Sequence, residues 1–243
     1  MRKPLIAFAA LFLFGLCFAQ QSSLLHVFGT PAAGGPNAAI VQNPEVVDIV
    51  CAPTCSFTLT QAIGTGHGLV FQTALGTPYG SAHLDSISAG GTIVSCSGCA
   101  TGDDQQSGFI DIAYVLSSTA AGSPITLTYS GYSTNQVTMW EWSCSGGTIS
   151  LDTDAATPSG SPQTGSPFSG PTETIGGTND AIFQAGISDQ NVTAVASPYD
   201  ANYIDDNGFG VSALMNSVSG SAASWTAASN LDGFGSAIAF KCQ

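Results

Sequence analysis

Short segments in which apolar and polar residues alternate recur along most of this chain, and they limit it to a fold built from β-strands. Between Pro124 and Ser130, the apolar residues Ile125, Leu127 and Tyr129 alternate with threonine and serine, which is typical of a strand with one buried face and one solvated face. Similar segments are separated by clusters of Gly, Ser, Asn and Pro. No long segment repeats apolar residues with the period of a helix. The pattern therefore predicts an all-β, antiparallel β-sandwich with minimal helix.

One predicted strand is apolar on both faces. Over residues 108–116, Ile110, Ile112 and Tyr114 share one face, while the opposite face begins with Phe109 and is also largely apolar. This composition indicates a central strand that is covered on both sides. Further strands are expected over 24–28, 56–60, 66–73, 136–143, 181–187, 209–214, 221–226 and 236–240. The Pro-rich, Ser-rich residues 153–178 are expected to form a long loop.

The first residues have the pattern of an export signal. Arg2 and Lys3 precede an apolar run from Leu5 to Phe18, and the small residue Ala19 follows. This order predicts a signal peptide over 1–19, cleaved after Ala19. The apolar run is too short for a bilayer span, which needs roughly 20 residues. The mature chain is expected to be secreted or displayed on the cell surface, without a membrane span.

Composition then divides the remaining chain and excludes some partners. Residues 20–45 are rich in Gly, Ala, Pro and Gln and are expected to be a loose lead-in, whereas 46–243 are expected to form a single β-sandwich domain. Loss of the signal would leave one basic residue, Lys241, against 16 acidic ones, a net charge of −15. So negative a chain repels phosphate backbones and anionic lipid headgroups. Nucleic acid is therefore excluded as a partner.

Six cysteines follow the signal segment, and an even number in an exported chain indicates disulfides. Proximity favours the pairs Cys51–Cys55 and Cys96–Cys99, which leaves Cys144 to pair with Cys242. Other connectivities are open. The spacing of Cys96 and Cys99 also fits half of a zinc site, although a second matching pair is missing.

Several strand-like stretches stand out together. They are Ile87-Ser-Ala-Gly-Gly-Thr-Ile-Val-Ser-Cys96, Asp111-Ile-Ala-Tyr-Val-Leu-Ser-Ser-Thr119, Trp140-Glu-Trp-Ser143 running to Asp152, and the closing Ala237-Ile-Ala-Phe240. Together they resemble secreted β-sandwich modules of environmental bacteria, of the concanavalin A-like jelly-roll class. The resemblance covers most of residues 46–242. It implies that fold and a surface, adhesive or glycan-binding role, and it carries over no catalytic residue.

The stretch Trp140-Glu141-Trp142 is the first candidate ligand site. On a strand the two indoles share a face and Glu141 points the opposite way. Exposed indoles could stack on sugar rings, whereas buried ones would belong to the core. A glycosidase needs two carboxyls on one face about 5–9.5 Å apart. Glu141 has no acidic partner at the neighbouring same-face positions, and Asp111 stands alone in its strand.

A second candidate site is an acidic, tyrosine-containing stretch. Asp200, Asp205 and Asp206 offer the hard oxygen ligands that suit Ca²⁺, and Tyr199 and Tyr203 beside them are candidate ligand-binding residues. The alternative is a set of exposed turn residues. A structural Ca²⁺ is the only cofactor that this stretch suggests.

The histidines offer a different metal hypothesis. His83 and Asp85 share one strand face, and His67 could approach from another strand, which would suit zinc, copper or iron. The alternative is that these residues are scattered by chance.

Three functions follow from these observations. The first is a secreted or cell-surface, non-catalytic module that binds an extracellular glycan or surface polymer, as in adhesion. The second is an extracellular enzyme that acts on polysaccharide. The third is a self-assembling envelope or matrix subunit, for which exposed strand edges would be needed.

Overall fold

The computed structural model describes the chain from residue 35 onward, apart from short gaps, and residues 31–243 form one compact unit. The described ranges are 35–51, 53–59, 61–77, 83–90, 92–103, 106–119, 124–130, 133–152, 163–188, 190–204, 209–220, 222–228 and 232–243. They contain strands and no helix, so none of them supplies a hydrophobic helix of membrane-spanning length. The predicted signal peptide and a predicted strand at 24–28 lie outside the described residues.

The strands follow one another along the chain in an all-β order. They are β1 (Asn37–Cys51), β2 (Thr54–Phe57), β3 (Gly68–Thr77), β4 (Leu84–Ile87), β5 (Thr92–Asp103), β6 (Gln106–Val115), β7 (Ile125–Tyr129), β8 (Ser133–Ser145), β9 (Ile149–Leu151), β10 (Gln163–Thr164), β11 (Phe168–Ser169), β12 (Asp180–Ser188), β13 (Val192–Val195), β14 (Asp200–Ile204), β15 (Phe209–Ser217), β16 (Ser224–Ala227) and β17 (Asp232–Cys242).

Two large antiparallel sheets form the centre of the molecule. The first has the order β1-β8-β3-β6-β5, and the second has the order β10-β17-β12-β15-β14, with β9 also paired to β17. The antiparallel, all-β sandwich expected from the alternation is confirmed. The jelly-roll connectivity stays a prediction.

The facing sides of these two sheets enclose the largest apolar cluster. Trp140 and Trp142 of the first sheet contact Phe183 of the second, with ring centroids 5.6 and 6.0 Å apart, and Trp142 also contacts Phe240. All four rings are at most 1% exposed. Each aromatic side chain buried in this way contributes about 2–3 kcal/mol from the area removed from water.

Each central sheet is covered on its other face by a small three-stranded sheet. The sheet β2-β7-β4 packs on the first central sheet, where Ile125, Leu127 and Tyr129 meet Phe71 and Met139. The sheet β11-β16-β13 packs in the same way on the second central sheet. The fold is therefore four layers deep, whereas alternation alone led us to expect two. A periodic pattern shows that a face is buried, but it does not identify what covers that face.

A row of glycines lets the second outer sheet approach closely. Gly210, Gly186 and Gly235 lie side by side across β15, β12 and β17. A Cβ atom on Gly186 or Gly210 would come within 2.7 or 2.9 Å of the Trp225 indole. The missing side chains make room for Trp225, which is fully buried.

The first strand starts earlier than expected. β1 begins at Asn37, so residues 37–45 belong to a strand, although their composition had suggested a loose lead-in. Alternation is weak there because the strand carries two register shifts, between Ile40 and Gln42 and between Gln42 and Glu45. Bulges of this kind break the period-two pattern on which strand prediction depends.

The disulfide that elimination favoured is confirmed. Cys144 and Cys242 are bonded across 98 residues of chain, with their Cα atoms 5.4 Å apart. Cys55 is also disulfide-bonded. The side chains of Cys51, Cys96 and Cys99 lie outside the described part of the structure, so their pairing and the zinc alternative stay predictions.

The side-chain amide of Asn216 forms hydrogen bonds with the backbone of β1 at the outer edge of the first central sheet. Its Oδ1 accepts from the Ala38 N–H at 2.8 Å, and its Nδ2 donates to the Ala38 carbonyl at 2.9 Å, as a neighbouring strand would. Asn216 has a φ of 54°, in the left-handed region that asparagine tolerates.

We expect Asn216→Ala to lower the free energy of unfolding by about 1–3 kcal/mol, because two backbone groups lose their partner in a part-buried position. Urea denaturation would measure the change. Asn216→Gly is the matched control, since it relieves the backbone and removes the same two hydrogen bonds. If Asn216→Ala is as stable as the wild type, the amide contributes nothing to the edge.

Candidate functional site

The tryptophans of the first candidate site are completely buried. Trp140 and Trp142 are 0% exposed and face the second central sheet, and the Trp140 indole N–H donates to Gln72 Oε1 at 2.8 Å. They belong to the core, so the role of exposed ring-stacking residues is wrong for both. The reason is that the second sheet covers this face, which the local sequence does not reveal.

Glu141 points the other way, toward the outer sheet, and is buried at 1% exposure. Its Oε1 accepts from the Gly64 N–H at 2.7 Å and lies 2.5 Å from His67 Nδ1. Its Oε2 accepts from Gln42 Nε2. The carboxyl group of Glu141, on β8, is thus hydrogen-bonded both to β1 and to the turn before β3.

His67 is the part of this network that reaches solvent, with a side chain 28% exposed. The ring lies so close to Gly64 that a Cβ atom there would come within 2.4 Å of it. A buried carboxylate that orients a partly exposed imidazole leaves the ring able to form a hydrogen bond with a bound molecule.

His83 forms a second pair of the same type. Its Nδ1 lies 3.3 Å from Asp111 Oδ1, and Asp111 Oδ2 accepts from the Leu84 N–H at 2.7 Å. Asp111 is 0% exposed. The nearby Tyr129 hydroxyl is buried and has no hydrogen-bond partner within the described ranges. Burial, and then the charge of Asp111, raise the pKa of Tyr129.

These two carboxyl groups are too far apart for a glycosidase pair. Both lie on the face of the first central sheet that carries Phe71 and Met139. On β3, Glu141 is paired with Leu69 and Asp111 with Thr73. Four residues along a strand separate two points by about 13 Å, whereas the reaction needs roughly 5–9.5 Å.

The histidine metal hypothesis is also corrected. His67 and His83 bind different carboxyl groups, and Asp85 is exposed in a bulge of β4. Within the described ranges, no three His, Cys, Asp or Glu side chains are arranged to hold a metal ion.

The tyrosine-containing stretch falls partly inside the described structure. Tyr199 is 1% exposed and its hydroxyl accepts from Gln184 Nε2 at 3.0 Å, so it belongs to the core beneath the second outer sheet and not to a ligand surface. Asp200 and Tyr203 lie in β14, but only their backbone is described. Asp205 and Asp206 lie outside the described residues, so the Ca²⁺ site stays a prediction.

The outer face of the sheet β2-β7-β4 carries an array of hydroxyl groups. Thr126 and Thr128 of β7 point outward between the buried residues of that strand. Thr54 and Ser56 lie opposite them on β2, and Ser86 lies beside Thr128 on β4.

Within this hydroxyl face, Ser56 Oγ and Thr126 Oγ1 are 2.9 Å apart and hydrogen-bonded. Ser88 Oγ continues the array by accepting from the Thr126 N–H at 2.8 Å. The polar half of the alternation predicted hydroxyls on a solvated face. It did not predict that three strands would bring them together.

Comparison with known proteins finds no relative of this chain. No protein-family model, no curated protein and no solved structure matches it.

Proposed function

We propose that this protein is a secreted or cell-surface, non-catalytic module that binds a neutral, hydroxyl-rich polymer such as a glycan. The hydroxyl face, formed by Thr54, Ser56, Ser86, Thr126 and Thr128, is the observation that carries the proposal. Hydroxyl groups both donate and accept hydrogen bonds, as the hydroxyls of a sugar do. An array of them on one sheet face therefore complements the hydroxyl groups along an extended polysaccharide.

The electrostatics of the chain favour an uncharged ligand. The acidic residues outnumber Lys and Arg by 16 to 3, and Asp85 is exposed beside the hydroxyl face. An anionic polymer would be repelled, whereas a neutral one would not. The inner side of the sheet that carries the hydroxyl face is packed on Phe71 and Met139. A preformed surface loses little conformational entropy when it binds.

The test is binding of the purified protein to insoluble neutral polysaccharides and to a glycan array. We expect the variant Ser56→Ala, Thr126→Val, Thr128→Val to bind at least about tenfold more weakly, since each lost hydrogen bond contributes about 0.5–1.5 kcal/mol. Thr226→Val is the matched control, because Thr226 is exposed on the other outer sheet, on β16.

The possible results distinguish an incorrect binding site from an incorrect function. Undiminished binding by the triple variant would place the binding site elsewhere on the molecule. Failure of the wild type to bind any neutral polymer would contradict the function itself. Concentration-dependent assembly in light scattering would then favour the structural-subunit alternative.

A further inference from the structure

Lys241 occupies an unusual position for the only lysine or arginine beyond residue 3. It lies in β17 opposite Ser150 of β9, and its Nζ is 3.2 Å from Asp152 Oδ1. The Asp152 N–H extends the ladder by donating to the Ala239 carbonyl at 3.1 Å. The Lys241 side chain is 19% exposed and that of Asp152 is 0% exposed. Backbone pairing thus holds an amine against a carboxyl group that is out of reach of water.

Two further carboxyl groups are buried at the same place. Asp180 of β12 is 0% exposed, and Glu173 is 6% exposed. Burial first, and then the neighbouring carboxyl group of Asp152, raise the pKa of Asp180 to about 6. Two neighbouring carboxyl groups can share a hydrogen bond only when one of them carries a proton. Burial, and then the charge of Asp152, raise the pKa of Glu173 to about 8.

The segment that carries Glu173 is held against this cluster by backbone contacts. The Gly176 N–H donates to Asp152 Oδ2 at 2.7 Å, and the Gly177 N–H donates to Asp180 Oδ2 at 3.2 Å. No N–H or hydroxyl donor in the described ranges reaches Asp180 Oδ1, which is also buried. Because Asp180 is buried, has a raised pKa and has one oxygen without a donor, its carboxyl group is suited to carry a proton to and from Asp152.

We propose that Lys241 and Asp152 condense to a covalent amide, so that the ion pair is the reactant state of a self-made cross-link. A proton passes from the Lys241 ammonium to the Asp152 carboxylate, which leaves a neutral amine beside a carboxylic acid. The Nζ lone pair attacks Cγ of Asp152, and the N–Cγ bond forms. A proton from Nζ reaches the departing oxygen through the Asp180 carboxyl, the Cγ–O bond breaks, and one water molecule leaves. Nothing is oxidised or reduced.

The surroundings favour each part of this step. An amine held against a carboxyl carbon reacts as an intramolecular nucleophile, for which effective concentrations are very high. Burial disfavours the charged pair relative to its neutral form. Asp180, whose carboxyl group neighbours that of Asp152, supplies a proton donor and acceptor. Glu173, whose pKa is raised to about 8, limits the negative charge that accumulates around Asp152.

The proposal is tested by the intact mass of the reduced, denatured full-length mature protein. We expect a mass below that of the amino-acid sequence by one water molecule, and a branched peptide that joins Asp152 to Lys241 in a proteolytic map. Lys241 should also resist an amine-reactive reagent after unfolding. In a reducing denaturing gel, the internal loop should make the wild type migrate faster than Lys241→Arg, whose guanidinium is not a nucleophile.

Three variants make the result specific. Lys241→Arg must lack the loss of one water molecule that the wild type shows, whereas other losses, such as cyclisation of an N-terminal glutamine, occur equally in both proteins. Asp152→Asn should give the same cross-linked product as the wild type, with ammonia leaving in place of water. Asp180→Asn should slow the reaction, seen as a mixture of the two masses in fresh protein. A wild type with the full sequence mass and a fully labelled Lys241 would overturn the proposal, because the contact would then be an ion pair only.

Discussion

Replacement of Glu141 by alanine is expected to lower the free energy of unfolding by about 3–5 kcal/mol, which is typical when one partner of a buried polar pair is removed. The Gly64 N–H and the Gln42 amide would lose their acceptor in a buried place, and His67 would lose the group that orients it. Urea denaturation, with the midpoint and slope fitted separately, would measure the change.

The matched control for this variant is His67→Gln. Glutamine keeps an N–H donor for Glu141 Oε1, and the Gly64 and Gln42 bonds to that carboxyl group remain, so the cost should be about 1 kcal/mol or less. Glu141→Gln should fall between the two, since it keeps the size of the side chain and one acceptor. Equal stability of Glu141→Ala and the wild type would mean that the network does not hold β1, β8 and the preceding turn together.

Stability is expected to decrease as the pH rises from 5 to 9, by an amount on the order of 3 kcal/mol. Glu173 has a pKa of about 8 in the folded protein against an ordinary 4.5, and Asp180 has one of about 6 against 3.8. The folded state therefore binds these protons more tightly than the unfolded state does. Their contribution is fully present below about pH 4 and is lost as the pH rises through about 6 and then about 8.

Thermal or urea unfolding across this pH range would measure the slope. Glu173→Gln should flatten the curve above pH 6, because the amide remains neutral in both states. Asp85→Asn is the control, since Asp85 is exposed and should leave the slope unchanged. A stability that increases between pH 5 and pH 8 would contradict the assignment. Burial is the first cause of both pKa shifts, so the expected direction holds whether or not Asp152 is cross-linked.

Local pattern predicted the parts of the fold that depend on a single strand. The alternation in β7 assigned Ile125, Leu127 and Tyr129 to the buried face, and they are at most 2% exposed. The doubly apolar 108–116 segment predicted a strand covered on both sides, and β6 is such a strand. Elimination among the cysteines identified Cys144–Cys242.

The remaining features of the fold and of the site depend on which strands pair with each other. Local patterns in a single sequence do not reveal that pairing. The sequence Trp140-Glu141-Trp142 is compatible both with a core, which tryptophan favours, and with a ligand surface, and only the second sheet shows that the indoles are buried. The pairing of Glu141 with His67 joins residues 74 positions apart. The contact of Lys241 with Asp152 likewise depends on the register of β9 on β17.

The burial of Lys241 against Asp152 has a consequence for the outside of the molecule. Beyond residue 3 the chain has no other lysine or arginine, so with Lys241 paired to Asp152 no further lysine or arginine offsets the negative charge of the remaining carboxylates. At low ionic strength, the electrostatic repulsion between two copies of the protein extends for tens of ångströms. At high ionic strength, the range of this repulsion falls to a few ångströms, and copies of the protein can then approach one another closely.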